Sequence, residues 1–267
     1  MWYNGSCAAA EGSLRGLSSY PSRRVTRMIS ATGFSKNYGE TLAVQDLSFD
    51  VAAGSILGML GPNGAGKTTT LRAMAGILQP TTGRLTIGGH DIVENPVAAK
   101  QQLAFVPDDP RLFDSLTVWE HLDFIAAAYR VPDFSAAAES LLEQFELTDQ
   151  RNTAARELSR GMRQKVAICC AYLHRPSAIL LDEPMTGLDP RGIRTLKDSI
   201  RQQAASGAAV IISSHLLSLV EDLCTDLLIL HRGRRLFCGT MGEARARYPD
   251  LEGESSLEAI FFKATES

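Results

Sequence analysis

The chain has no run of about 18 consecutive apolar residues, the length that a membrane-spanning helix needs. Any role at a membrane therefore falls to a partner chain. Cysteine is scarce: Cys7, Cys169, Cys170, Cys224 and Cys238 are the whole set, and no two are spaced as CxxC. An odd, scattered set argues against a disulfide framework and a zinc site, and fits a reducing compartment. Cys169 and Cys170 fall in an apolar helical pattern and are expected to be small core residues. Positive charge is not in excess, with 27 Lys and Arg against 30 Asp and Glu. The net charge of −3 gives no global electrostatic basis for a nucleic-acid partner. Internal repeats are absent.

What is present is 267 residues, 45% hydrophobic and 21% charged, enough for a sizeable core. The first residues stand apart. Through Arg27 they are rich in Ser, Arg and Gly, with Glu11 the only acid. That composition is similar to a transit peptide, without the apolar segment of a secretion signal. Residues 1–28 are expected to form a disordered extension, 29–245 the main domain and 246–267 a helical tail.

Residues 29–54 read as short strands, with "DLSFDV" alternating apolar and polar. "SILGML" (Ser55–Leu60), "AILLD" (Ala178–Asp182) and "AAVIISS" (Ala208–Ser214) suit buried strands. Turns are expected at Gly88-Gly89 and at Arg232-Gly233. From Val97 to about Leu147 the apolar spacing becomes helical, and a helical block is expected over about 97–175. "SLEAIFFKAT" reads as a Ser-capped helix. Strands alternating with helices predict an α/β fold with a mostly parallel sheet.

"GPNGAGKTT" follows a predicted strand and precedes a helical run, and fits GxxxxGK[ST] in full. Its residues are Gly61, Pro62, Asn63, Gly64, Ala65, Gly66, Lys67, Thr68 and Thr69. The three glycines let the backbone fold into a nest of inward N–H groups suited to phosphate oxygens. The next helix adds its positive dipole end. Lys67 is placed to reach the β- and γ-phosphates, and Thr68 to offer its hydroxyl to Mg²⁺. "ILLDEP" sets Asp182 and Glu183 at the C-terminal end of a buried strand, where α/β sheets bind ligands. Asp182 is the candidate metal ligand, and Glu183 the residue that orients an attacking water.

"LSRGM" opens a helix that Ser159 caps. Its buried stripe is expected at Met162, Val166, Cys169 and Leu173. Gly161 in the first turn costs up to about 1 kcal/mol against Ala. Arg160, Arg163 and Lys165 sit at the end that the helix dipole disfavours for cations. Neither feature has a reason in stability alone, and both suit a docked anion. An exposed capped helix is the alternative.

The order phosphate loop, "LSRGM", "LLDEP", "GLDP", "SSH" resembles the ATP-binding subunit of ABC transporters. "LSRGM" is similar to the family's LSGGQ signature, and the departures at Arg160 and Met162 resemble its exporter-type branch. The resemblance covers roughly Met28 to the C-terminus. It implies a P-loop NTPase core with an antiparallel β subdomain and an inserted α-helical subdomain. It further implies an ATPase using ATP and Mg²⁺, working as a head-to-tail sandwich with a second copy or a homologous subunit. Ser159 and Gly161 would contact the γ-phosphate of an ATP held by that second copy. The partner would be a transmembrane permease in a separate chain, and the location the cytoplasmic face of the membrane.

By the same resemblance, Tyr38 is where an aromatic stacks on adenine, although an ordinary exposed Tyr would look the same. Asp189 matches a loop that communicates across the dimer, although Asp before Pro is also plain turn chemistry. His215 matches a histidine at the γ-phosphate. Asp108, in "VPDDP", stands where the family usually has Gln, and keeps a hard oxygen for Mg²⁺. Asp108-Asp109 alternatively makes only a turn. Leu112, Phe113 and Leu116 are expected either to dock the permease or to pack on the helices beneath. Two other functions compete: a soluble ATPase of this type outside transport, and a regulatory subunit without turnover. A single nucleotide module and the intact Lys67, Asp182, Glu183 and His215 weigh against them.

Overall fold

The computed structural model describes residues 27–215, 217–247 and 257–265. In chain order its elements are β1 (Arg27–Tyr38), β2 (Thr41–Ala52), β3 (Ile56–Leu60), α1 (Lys67–Met74), β4 (Thr82–Ile87), β5 (His90–Asp91), α2 (Pro96–Gln101) and β6 (Leu103–Val106). Then come α3 (Val118–Tyr129), α4 (Phe134–Gln144), α5 (Arg160–Leu173), β7 (Ala178–Asp182), α6 (Pro190–Ala205) and β8 (Ala209–Ser213). The last are α7 (Leu217–Leu223), β9 (Asp226–His231), β10 (Arg234–Thr240), α8 (Met241–Arg247) and α9 (Leu257–Thr265). Among the described residues no helix is long and apolar enough to cross a membrane.

Two sheets form. An antiparallel one has the order β2-β1-β4-β5, and the main one the order β10-β9-β3-β8-β7-β6. In the main sheet β9, β3, β8, β7 and β6 are parallel, and β10 closes one edge antiparallel. Strands β3, β7 and β8 are buried at every position, as continuous apolar runs require when both sheet faces are covered. Alternation divides their side chains. Ile179, Leu181, Val210 and Ile212 enter a core shared with the helical block, while Leu180, Ile211 and Met59 enter a second core beneath the antiparallel sheet.

Three expectations change. Residues 29–54 form two twelve-residue strands rather than several short ones. A bulge between Ala31 and Phe34, with Gly33 at φ 59°, carries β1 across a polar break that looks like a strand end. The helical range 97–175 contains β6, which pairs with β7 in the main sheet. Four residues following a helix are too few to interrupt helical periodicity in the sequence. Arg27 and Met28 belong to β1, so the expected extension overlaps it; its other residues, and the Ser256 cap of α9, lie outside the described residues. Cys169 is buried and Cys170 half-buried, and burial pushes the Cys170 thiol up to about 12.

Candidate active site

The strand order β3-β8-β7-β6 decides what meets at the sheet's C-terminal edge. The phosphate loop follows β3, His215 follows β8, Glu183 follows β7 and Asp108 follows β6. Four adjacent parallel strands thus deliver the predicted groups to one rim, where open α/β sheets bind ligands.

Gly66 stands at φ 101°, a conformation costly for any other residue, and starts α1. Its neighbour Lys67 is buried, and its Nζ donates to the carbonyl of Gly61 at 2.6 Å. Burial lowers the Lys67 pKa, opposed by the charges of Glu183 and Asp182. The Thr68 hydroxyl donates to Asp182 Oδ1 at 3.2 Å, and the Ser213 hydroxyl donates to the same oxygen at 2.5 Å. Asp182 is 2% exposed.

Adjacent strand residues point to opposite faces, so Asp182 and Glu183 need a device to share one. Glu183 supplies it with φ 47°, a left-handed conformation just past β7. Its N–H donates to the Ser213 carbonyl and hydroxyl, each at 3.1 Å, which holds the strained residue in place. The re-aimed Glu183 Oε2 lies 2.8 Å from His215 Nδ1. Ser213 was not foreseen, although its place at the end of "VIIS" gave the available signal.

Tyr38 is 47% exposed at the β1–β2 turn, with Lys36 Nζ 5.3 Å from its ring centroid. A Cβ on Gly66 would lie 2.9 Å from the carbonyl oxygen of Ala43, so β2 starts against the phosphate loop.

The signature segment gathers elsewhere. Ser159 caps α5 by accepting the Met162 N–H at 3.2 Å, and Asp189 caps α6 by accepting the Gly192 N–H at 3.0 Å. Of the expected stripe, Val166, Cys169 and Leu173 are buried and Met162 partly so. No hydrogen bond among the described residues joins Ser159 or Gly161 to the phosphate loop.

The expectation that Gly161 and the cations lack an intramolecular purpose is corrected. A Cβ on Gly161 would lie 2.5 Å from the Gly187 carbonyl oxygen, so glycine lets α5 approach the loop before α6. Arg163 donates to the Leu158 carbonyl at 2.7 Å, and Lys165 pairs with Glu146 at 3.9 Å. Arg160 pairs with Asp108, Nη2 to Oδ1 at 3.3 Å. Leu112 and Leu116 are half-buried, and only Phe113 of that trio is exposed.

Residues 44–186 match the ABC transporter family model. The chain is 32% identical over 240 residues to the ABC-type transporter ATP-binding protein EcsA of Bacillus subtilis, covering 89% of this chain and 96% of that one. The chain belongs to the ABC transporter family. It is an ATPase that powers transport across a membrane through a separate permease. It is also 34% identical over 216 residues to the Nod factor export ATP-binding protein I of Ralstonia nicotianae, covering 80% of this chain and 67% of that one. A solved ATP-binding subunit of an ABC transporter matches with a TM-score of 0.85 and 33% identity, over 89% of this chain and 99% of that chain. The ABC ATPase fold accounts for both sheets and for the helices between β6 and β7.

Proposed function

We propose that this ABC ATPase hydrolyses ATP between two copies of the chain and drives export. The observation that carries the reading is the set Lys67, Thr68, Asp182, Glu183 and His215 on one sheet rim. Lys67 and the backbone N–H groups of the loop from Asn63 to Thr69 bind and orient the β- and γ-phosphates. Glu183 holds the attacking water and takes its proton, and His215 fixes the Glu183 carboxylate and faces the γ-phosphate. Tyr38 stacks on the base.

Thr68 and Asp182 present two hard oxygens 3.2 Å apart, a set that fits Mg²⁺. When bound, that ion neutralises charge on the phosphates being separated. Asp108 is held by Arg160 and stands apart from that pair of oxygens.

Ser159, Gly161 and Asp189 face the second copy, whose ATP they complete. The export direction follows the exporter-like signature at Arg160 and Met162, and one relative is named for export. The permease docks at the cytoplasmic face on an apolar groove of about 270 Å³ that includes Pro107, Pro110, Leu112, Phe113 and Phe124. His121 shapes that groove: its Nε2 accepts the Phe113 N–H at 3.0 Å, and its Nδ1 lies 2.7 Å from the Thr117 carbonyl. Those two bonds require the neutral ring with its proton on Nδ1.

The test is ATP turnover by the chain alone and by the chain purified from detergent-solubilised membranes. A multi-span protein that comes with it and changes its rate supports the reading. ATPase activity unchanged by any membrane protein that comes with the chain would count against docking at this groove.

A further inference from the structure

Asp108 and Arg160 touch each other. They are 52 residues apart in sequence, yet Arg160 Nη2 lies 3.3 Å from Asp108 Oδ1. Arg160 also crosses a third segment. Gly187, at φ 80°, passes so close that a Cβ there would lie 3.2 Å from Arg160 Cδ. One side chain thus spans the start of α5, the loop before α6 and the loop after β6.

We propose that Arg160 is a positioning residue that exchanges the Asp108 carboxylate for the terminal phosphate of an ATP held by the second copy. This rests on the two-copy reading above. The exchange tells the permease groove that the opposite site is filled.

The balance of charges favours it. The pair is a single contact between groups about half exposed, 49% and 48%. Such a pair shifts an equilibrium by a factor of only about 1 to 5. A terminal phosphate offers three oxygens and more negative charge, and a guanidinium binds it through two parallel, charge-assisted bonds. Arg160 follows Ser159 directly, so a phosphate arriving at the α5 cap comes within its reach. Asp108 then loses its counter-charge. The loop it anchors runs to the Thr117 cap of α3 and carries Phe113 on the groove. The pair is therefore a two-position element between the second ATP and the permease surface, the kind of element that coupling requires.

The experiment is hydrogen exchange by mass spectrometry on the full chain carrying Glu183→Gln, with and without ATP and Mg²⁺, alongside sedimentation to detect the dimer. Exchange at residues 108–116 should rise about two- to fivefold when the dimer forms, the range expected from losing one exposed ion pair. Arg160→Gln should reach the raised level without nucleotide and show no further response. The double exchange of Asp108→Arg with Arg160→Asp should restore protection in the nucleotide-free chain. A dimer with unchanged exchange at 108–116 would overturn the relay and leave the two-copy reading intact. No dimer in any form would remove both. Arg160→Gln exchanging like its parent without nucleotide would overturn the clasp itself.

Discussion

Glu183 Oε2 accepts from His215 twice, lying 2.8 Å from the ring Nδ1 and 3.3 Å from the backbone nitrogen. The carboxylate is thereby fixed from a neighbouring strand, although His215 itself is mostly exposed. His215→Ala should leave ATP affinity nearly unchanged and lower turnover about 10²-fold, the lower end of a positioned acid–base contribution. Equilibrium binding of a fluorescent ATP analogue and a phosphate-release assay separate the two. Loss of affinity with unchanged turnover would assign His215 to binding instead.

Lys67→Met should abolish measurable ATP binding, because the loop loses its only cationic side chain. The same variant should melt higher than the parent without nucleotide. Burial depresses the Lys67 pKa in the folded chain, so the unfolded chain binds its proton more tightly. The resulting penalty is full well below the folded pKa and fades as pH rises toward the ordinary lysine value. The stability gain of Lys67→Met should therefore shrink as pH rises toward the ordinary lysine value. Melting curves at several pH values check the sign.

Gly161→Ala should destabilise the fold by about 1–3 kcal/mol, because the added methyl meets the Gly187 carbonyl rather than a yielding side chain. Chemical denaturation measures it. A change below ~0.5 kcal/mol would mean that the loop before α6 gives way freely.

Arg111→Glu combined with Phe113→Ala should uncouple ATP turnover from the permease while the isolated chain hydrolyses ATP at the parent rate. Transport and complex formation unaffected by the pair of changes would move the docking surface elsewhere.

The rim was legible in the sequence because its parts carry local signatures. A glycine loop ending in Lys-Thr, and carboxylates after an apolar run, state their chemistry without reference to the rest of the chain. Ser213 was not legible: its value comes from lying across from Asp182 in the register β7–β8, which no local pattern encodes. The left-handed turn at Glu183 was equally hidden, since nothing in "DEP" marks φ as positive. The intramolecular contacts of Gly161 and Arg160 were hidden for the same reason: their partners, Gly187 and Asp108, are 26 and 52 residues away, so the sequence suggested a docked anion and nothing of these contacts. Strand β6 was lost to its shortness, while β3, β7 and β8 announced themselves as continuous apolar runs.

The most direct measurement compares ATP binding and phosphate release for the parent and Glu183→Gln at saturating Mg²⁺. The exchange removes the carboxylate and almost no volume. Expected are equal ATP affinity, turnover lowered at least about 10²-fold, and an ATP-dependent dimer for the variant. Glu183→Gln turning over at the parent rate would contradict the assignment of the catalytic base on this rim.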